Sequence, residues 1–416
     1  MYAALQVIAR PLPHGRGSAV DSEPRASASG LEPGAGINGA VYNDMSDWKP
    51  ARREFLVCSG AVALGEWRNR QPGMTYRRLG RTNYMLSEVV CGGNTISPQN
   101  FRHVELAIEM GLNYLDTAAA YGRGRSEEGY ALVIAGGKRE RVFVNSKASP
   151  WADNRNRLFQ EIFDGLPGAQ KKMLLAEARQ EIEKRHAAEP DYFCDYFAGQ
   201  RRELERSALS NVMERRFGGR IDRRKNYRDL IVESVDASLK RLKTDYLDLL
   251  MCPHGANSAQ EVLGFPETLE AFEALRKAGK VRHFGVSAHS DPAGVLRAAI
   301  QAKVYSAAMV AYNIVNHRYV DAALAEAARA GLGVIAMKVA RPVHPGRGYG
   351  NPVAPARLAL LEQAVPGPLK VPQKAYLWAL RNPHITAVNS EMITAEMVKE
   401  NLAVVSRDRQ GVGRGP

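Results

Sequence analysis

Short apolar runs that alternate with helical patterns predict a (β/α)8 (TIM) barrel with a disordered N-terminal segment and a helical insertion after the third strand. From about residue 75 onward, eight mostly apolar runs alternate with helical stretches, as expected for parallel strands covered on both faces. Eight such units in about 330 residues are typical of a closed barrel. A doubly wound open sheet is the second candidate. It normally carries a Gly-x-Gly-x-x-Gly turn after its first strand, and the sequence has none in that context.

The predicted strands and helices follow from local patterns. The strands cover residues 87–91, 114–116, 142–147, 246–252, 281–287, 308–312, 333–338 and 386–389. The helices between them include residues 101–110, 231–242, 266–278, 291–302, 319–330 and 394–406. Three helices are followed by Gly111, Gly279 or Gly331, and glycine accepts the left-handed conformation that ends a helix. The barrel is therefore expected to span residues 75–406, before a flexible tail at 407–416.

A long insertion interrupts this alternation after the third predicted strand. Residues 150–228 stand where a barrel needs only a loop and the start of a helix. They contain two helical patterns, at 169–184 and 200–216, separated by a group of aromatic residues: Tyr192, Phe193, Tyr196 and Phe197. The insertion leaves the barrel at the end where such folds place their active sites. Two interpretations stay open, a lid or partner-binding subdomain and a packing appendage without direct function.

Residues 1–74 are predicted to form a disordered arm that contains a possible export signal. The first 44 residues are rich in Gly, Pro, Ala and Ser and cannot bury enough apolar surface to offset the entropy of ordering. Met45 is a plausible start, because residues 45–66 resemble a twin-arginine signal: Arg52 and Arg53, then Phe55-Leu56 and an apolar run. A short amphipathic helix or an unstructured arm is the alternative, because a small-x-small cleavage site is missing.

This signal predicts that the protein is exported to the periplasm. Without a working signal, the protein is expected in the cytoplasm. The apolar run is too short to span a bilayer, so no integral membrane segment is expected. The formal net charge of +13 comes from basic residues interleaved with acidic ones, which argues against a nucleic-acid partner. Four scattered cysteines lack Cys-x-x-Cys spacing, so neither a metal site nor a disulfide framework is expected.

Four reactive side chains lie at or just after the ends of three successive predicted strands. Asp116 ends the second strand, and Tyr121 follows in the adjoining loop. Lys147 ends the third strand, and His254 follows the fourth. Barrels of this class carry their catalytic residues at the carboxyl ends of the strands. These four residues, called the tetrad below, are therefore predicted to form an active site.

The tetrad and its surroundings resemble the aldo-keto reductase family. The family pattern Asp-Thr-Ala-x-x-Tyr-Gly occurs at residues 116–122, and similar pieces occur at 76–82, 238–249 and 280–287. The resemblance covers residues 75–405 apart from the insertion. It implies an NAD(P)(H)-dependent oxidoreductase that reduces, or oxidises, an aldehyde, ketone or sugar-like carbonyl or alcohol by hydride transfer. A nicotinamide-binding regulatory or sensor subunit with little turnover is the alternative.

The resemblance also implies roles for the tetrad. A carbonyl that accepts hydride needs a proton donor, and Tyr121 is expected to be that general acid. The ordinary pKa of tyrosine, near 10, is high for this task, and the Lys147 ammonium is expected to lower it. Asp116 is expected to hold Lys147 in place and charged. His254 is expected to orient the substrate oxygen or to share in proton transfer.

The expected nicotinamide contacts depart from the family pattern. Ser287 matches a residue that holds the carboxamide, but Ala288 and Met309 stand where Asn and Gln are usual. Met337 stands where a tyrosine commonly stacks on the nicotinamide, and Lys338 is expected to contact a phosphate or the substrate. The predicted nicotinamide site nevertheless consists of Ser287, Met309, Met337 and Lys338.

The adenine side also departs from the pattern. Glu400 and Asn401 match residues that commonly contact adenine. Glu391 and Met397 stand where basic residues usually hold the 2′-phosphate of NADP(H). The loss of charge-assisted contacts to that phosphate leaves the choice between NADP(H) and NAD(H) open.

Overall fold

The computed structural model describes residues 65–344 and 353–405. Most of the predicted export signal and the C-terminal tail lie outside the described residues. Before the barrel, β1 (Glu66–Trp67), β2 (Tyr76–Arg78) and β3 (Tyr84–Ser87) form a small sheet. In this sheet β3 is the central strand, parallel to β1 and antiparallel to β2.

Eight parallel strands form a closed barrel, which confirms the predicted (β/α)8 fold. They are β4 (Val89–Gly92), β5 (Tyr114–Asp116), β6 (Phe143–Lys147), β7 (Leu247–Met251), β8 (Val281–Ala288), β9 (Ala307–Ala311), β10 (Gly333–Met337) and β11 (Ala387–Glu391). Each strand pairs in parallel with the next, and β11 pairs with β4 to close the ring. All eight strands therefore present their carboxyl ends at one rim.

Thirteen α-helices occur in the described residues. They are α1 (Arg102–Glu109), α2 (Arg125–Val133), α3 (Asn156–Asp164), α4 (Gly168–Lys184), α5 (Gln200–Phe217), α6 (Leu230–Leu242), α7 (Ala259–Leu263), α8 (Pro266–Lys277), α9 (Pro292–Ala302), α10 (His317–Arg329), α11 (Pro355–Ala364), α12 (Val371–Leu380) and α13 (Ala395–Leu402). None of the helices within 65–344 and 353–405 is long and apolar enough to cross a membrane.

The alternation of side chains along the strands separates two apolar cores. Val89 of β4 packs in the larger core, which also contains helix residues, whereas Val90 packs inside the barrel with Tyr114 and Phe143. This follows from the period of two along a strand, which sends successive side chains to opposite faces. Because both faces are buried, the strands appear in the sequence as mostly apolar runs.

The small N-terminal sheet closes the amino end of the barrel. The loop between β2 and β3 brings Gly80, with a φ of 47°, against the first residue of β10, Gly333. The Arg81 amide donates a hydrogen bond of 2.8 Å to the carbonyl of Gly331. The two backbones approach so closely that neither Gly80 nor Gly333 has room for a side chain.

Gly333→Ala is expected to lower the free energy of unfolding by about 1–3 kcal/mol. The added methyl group would lie 2.6 Å from the Gly80 nitrogen and from the Leu79 carbonyl carbon, and backbone cannot move as a flexible side chain can. Urea unfolding measures the effect. The control is Gly73→Ala, because a Cβ there has no atom within 4 Å. Equal midpoints for the two variants would contradict this close approach.

Residues 65–74 differ from the disordered arm predicted for 1–74. Two of them form β1, and Met74 is buried. The buried Arg68 guanidinium lies 3.0 Å from the Asp248 carboxylate and donates to the Val142 carbonyl at 2.7 Å. The sequence prediction is wrong for these residues because the partners that order them are distant along the chain.

The helical segment, residues 150–228, has an apolar core of its own. Helices α3, α4 and α5 enclose Phe159, Leu174, Leu204 and Val212, all nearly or fully buried. These helices lie between β6 and α6, and α4 and α5 match the two predicted helical patterns. The segment is therefore a folded unit.

Buried polar contacts attach the helical segment to the parts of the chain that follow β7, β8 and β9. The Arg155 guanidinium donates to the Glu261 carboxylate at 2.6 Å, and both side chains are buried. The Tyr192 hydroxyl donates to Asp291 at 2.7 Å. The Tyr196 hydroxyl accepts a hydrogen bond of 2.9 Å from the Asn313 amide. These attachments hold the segment over one side of the rim.

Candidate active site

Strand ends bring the four residues of the tetrad together at the rim. Asp116 is the last residue of β5 and Lys147 the last residue of β6. Tyr121 opens a short 3-10 helix after β5. His254 follows β7 after a cis Cys252–Pro253 peptide. Its ring centroid lies 5.8 Å from that of Tyr121, and the two rings are nearly perpendicular.

The Lys147 ammonium lies at the centre of the tetrad. It donates hydrogen bonds to Asp116 Oδ1 at 2.6 Å, to the Thr117 carbonyl at 2.8 Å and to the Tyr121 hydroxyl at 3.2 Å. These bonds use all three donors of an ammonium group. The hydrogen bonds to Asp116 and to the Thr117 carbonyl therefore hold the Lys147 ammonium in place beside the Tyr121 hydroxyl.

Two asparagines that the sequence analysis missed complete the surroundings of Asp116. The Asn145 amide donates to Asp116 Oδ1 at 2.7 Å, and the Asn389 amide donates to Oδ2 at 3.2 Å. Asn145 stands two residues before Lys147, and this spacing places both on the same face of β6. That signal is visible in the sequence. Asn389 lies on the last strand and reaches Asp116 only because the barrel closes.

Polar contacts fix the loop that carries Tyr121. The Thr117 and Ser126 hydroxyls lie 2.7 Å apart, and Ser126 donates to the Gly93 carbonyl at 2.7 Å. The buried Glu127 carboxylate accepts from the Ser146 hydroxyl and from Arg241, each at 2.6 Å. The loop between β5 and α2 is thereby tied to β4, β6 and α6.

Burial and charge act on the Tyr121 hydroxyl in opposite directions. Burial raises the pKa of Tyr121, the Lys147 ammonium lowers it, and the net shift is upward. The expected effect of Lys147 therefore exists, but burial outweighs it. Burial also lowers the pKa of Lys147, yet Asp116 and Tyr121 raise it more, so the net pKa of Lys147 is raised. The phenol remains protonated and the lysine charged at neutral pH.

His254 is a neutral imidazole in this setting. Burial lowers its pKa to about 3, and the positive charges of Lys147 and Lys338 act in the same direction. A neutral imidazole has one N–H donor and one acceptor nitrogen. His254 can therefore donate a hydrogen bond to an oxygen bound beside Tyr121.

The described residues offer no metal site. Within 65–344 and 353–405, no group of three or more His, Cys, Asp or Glu side chains is arranged to hold a metal ion.

A model described as the aldo/keto reductase family matches residues 90–192 and 221–347, more than half of the chain. The chain belongs to the aldo/keto reductase family. The two matched parts contain all four residues of the tetrad. They leave residues 193–220 of the helical segment unmatched.

Individual relatives of this aldo/keto reductase match only part of the chain, at low sequence identity. An oxidoreductase of Bacillus subtilis, YqkF, is 26% identical over 217 residues, which are 51% of this chain and 49% of the relative. The aldo-keto reductase YhdN of Bacillus subtilis is 27% identical over 52% of this chain and 44% of the relative. The chain thus spans about half the length of the curated relatives it matches.

Solved structures share the fold. The aldo-keto reductase AKR11C1 from Bacillus halodurans, in its holo form, superimposes with a TM-score of 0.53 at 22% identity. The match covers 80% of this chain and 91% of that protein. A thermostable aldo-keto reductase, Tm1743, gives a TM-score of 0.52 at 22% identity, over 80% of this chain and 94% of the other.

Three of the predicted nicotinamide contacts of the aldo/keto reductase occupy successive strands. Ser287 is buried in β8, and its hydroxyl accepts a hydrogen bond of 2.9 Å from the Gly255 amide. Met309 is buried in β9, where its sulfur accepts from the Asn389 amide at 3.5 Å. Met337 ends β10 and is 7% exposed. The two thioethers suit the apolar face of a nicotinamide ring, and the hydroxyl suits its carboxamide.

The two predicted adenine contacts lie on α13, and both have partners within the protein. Glu400 forms an ion pair with Lys370. Asn401 is buried, and its amide donates to the Ser390 hydroxyl at 3.0 Å. This pair thus lies on a helix, whereas Ser287, Met309 and Met337 lie on barrel strands.

The rim carries a second group of side chains, which the sequence analysis did not recognise as belonging together. Lys338 directly follows β10, and its ammonium lies 5.8 Å from the ring centroid of Phe197 in the helical segment. The ring of Phe197 meets that of His289, which directly follows β8, at a centroid distance of 5.3 Å. These three residues, called the rim cluster below, connect the helical segment with two strand ends.

Proposed function

We propose that this aldo/keto reductase is an NAD(P)(H)-dependent oxidoreductase that reduces or oxidises an aldehyde, ketone or sugar-like compound. The hydrogen-bonded chain from Asp116 through Lys147 to Tyr121 is the observation that carries the proposal. A buried ammonium held between a carboxylate and a phenol has no evident structural use at a barrel rim. Perturbed pKa values in such a cluster are typical of active sites.

The proposed roles follow from the protonation states. Tyr121 keeps its proton and donates it to the carbonyl oxygen. Lys147 faces the phenolate that remains and stabilises its charge, and Asp116 keeps Lys147 charged. His254 donates a hydrogen bond to the substrate oxygen and so orients it.

The proposed cofactor site consists of Ser287, Met309 and Met337 at the strand ends, with Glu400 and Asn401 toward the adenine. A reduced nicotinamide supplies the hydride when bound. Met337 would contact its ring and Ser287 its carboxamide. Glu400 and Asn401 can contact the adenine only if they give up their present partners, Lys370 and Ser390. The preference between NADP(H) and NAD(H) stays open.

Titration with NADPH and NADH, followed by turnover assays on a panel of carbonyl compounds, tests the proposal. We expect saturable binding of at least one nucleotide and its oxidation in the presence of an aldehyde or ketone. Binding without turnover of any carbonyl or alcohol would favour the alternative of a regulatory or sensor subunit.

The value of kcat/KM for an uncharged aldehyde is expected to be independent of pH between about 5 and 7.5. The pKa of His254, about 3, lies below this range, and the raised pKa of Tyr121 lies above it. Neither group changes protonation there. An initial-rate profile measured below KM checks this. A limb with a midpoint near 6.5 would show that His254 titrates normally and would contradict its proposed neutral state.

We also propose export by a twin-arginine pathway, on the strength of Arg52, Arg53 and the apolar run that follows them. This pathway carries folded proteins, so a nicotinamide can be loaded before transport. Fractionation of a bacterial host that expresses the full chain, beside an Arg52→Lys/Arg53→Lys variant, tests it. Retention of both proteins in the cytoplasm would contradict export.

A further inference from the structure

Lys338 carries a positive charge at the rim in an unusual backbone conformation. Its φ is 58°, in the left-handed region that non-glycine residues seldom occupy. It directly follows β10 and is half-buried. Its charge contributes to lowering the pKa of His254, and so it lies within electrostatic range of the tetrad.

No acidic side chain within residues 65–344 and 353–405 forms an ion pair with the Lys338 ammonium, and no hydrogen bond there involves it. The nearby carboxylate of Glu391 lies 3.6 Å from the Arg341 guanidinium instead. A half-buried ammonium without acceptors has lost part of its hydration without replacement. Burial accordingly lowers the pKa of Lys338 to about 8; Arg341 and Lys147 act in the same direction, and Glu391 and Asp116 oppose them.

The other members of the rim cluster cannot neutralise this charge. Phe197 offers only the face of its ring at 5.8 Å. Burial and the charges of Lys338 and Lys147 lower the pKa of His289 well below its usual range, which leaves a neutral imidazole able to donate a hydrogen bond. The cluster thus combines a cation, a neutral donor and an aromatic wall, and it lacks an anion.

We propose that the Lys338 ammonium, beside Phe197 in the rim cluster, binds a carboxylate of the substrate, so that the enzyme acts on carbonyl compounds that carry an acid group. This inference rests on the proposed function, because the carbonyl end of the same molecule would lie at the tetrad. A phosphate of the cofactor is the other anion that Lys338 could bind, and the experiment separates the two.

Calorimetric titration with benzoate and with benzamide tests the subsite without any need for turnover. The two probes match in size and differ in charge. Benzoate is expected to bind the wild type about tenfold or more tightly than it binds Lys338→Gln, while benzamide binds both equally. Lys303→Gln is the matched control, because Lys303 is an exposed lysine with a left-handed backbone, and it should behave as the wild type. The titrations are run with and without NADP⁺.

Turnover of 4-carboxybenzaldehyde and 4-carbamoylbenzaldehyde gives the second readout. Lys338→Gln is expected to lower kcat/KM for the acid by about tenfold or more and to leave the amide within about twofold. Equal benzoate binding by wild type and Lys338→Gln would overturn the proposal, as would weaker NADPH binding with unchanged benzoate binding. Failure of the wild type to turn over either aldehyde would instead count against the reductase function, while the benzoate titration still decides the subsite.

Discussion

Tyr121→Phe is expected to lower kcat for carbonyl reduction by about 10²–10⁴-fold, the contribution typical of a positioned general acid. The substitution removes one oxygen. Lys147 keeps its hydrogen bonds of 2.6 Å to Asp116 and 2.8 Å to the Thr117 carbonyl, so the remaining geometry should persist. Initial rates with saturating NADPH and an aldehyde measure the loss. The dissociation constant of NADPH, from a fluorescence titration, is expected to change little.

The matched control for this variant is Tyr246→Phe. Tyr246 directly precedes β7, at the amino end of the barrel, and its hydroxyl contacts only Glu140 at 3.4 Å among the described hydrogen bonds. It should retain full activity. Unchanged turnover in Tyr121→Phe would remove Tyr121 from the proposed mechanism. Loss of NADPH binding in the same variant would assign the hydroxyl to the cofactor site.

Glu261→Gln is expected to lower the free energy of unfolding by about 3–5 kcal/mol, because it leaves the buried Arg155 guanidinium without a compensating charge. The Glu261 carboxylate accepts from Arg155 at 2.6 Å, from the Ser207 hydroxyl at 2.5 Å and from the backbone N–H of Asn257 at 2.7 Å. A glutamine would direct an NH₂ group toward some of these donors. Urea unfolding measures the change.

An exposed ion pair in the same helical segment supplies the comparison. Glu161 pairs with Arg157 one turn away on α3, and both side chains are more than half exposed. Exposed pairs contribute little, so Glu161→Gln should change the free energy of unfolding by less than about 1 kcal/mol. Similar losses in Glu161→Gln and Glu261→Gln would mean that the buried pair does not attach the segment to the barrel.

The barrel strands were predictable because their signal is local. A strand buried on both faces is mostly apolar, and β5 at Tyr114–Asp116 agrees with its predicted bounds. Helix α2 was missed because its buried residues include Ser126, Glu127 and Gly129, which hide the apolar period. Strands β1 and β2 were missed because two or three residues are too few to show a period.

The tetrad was predictable for a related reason. Asp116 and Lys147 end strands, and Tyr121 and His254 lie in the loops that follow, so the parallel closure of the barrel brings all four to one rim. The helical segment was visible as extra length with two helical patterns. The contact between this segment and Lys338, made through Phe197, was not visible in the sequence, because these residues are distant in sequence and belong to different elements.

The sequence by itself determined the kind of barrel and the residues at its strand ends, because apolar period and strand position depend on neighbours along the chain. Tertiary structure alone decided how these residues ionise. The pKa of Tyr121 is the balance of burial against the charge of Lys147, and burial prevails. His254 is neutral, and the pKa of Lys338 is lowered, because of the burial and charges that distant segments supply. Each of these states depends on burial and on charges from other segments, which spacing in the sequence does not encode.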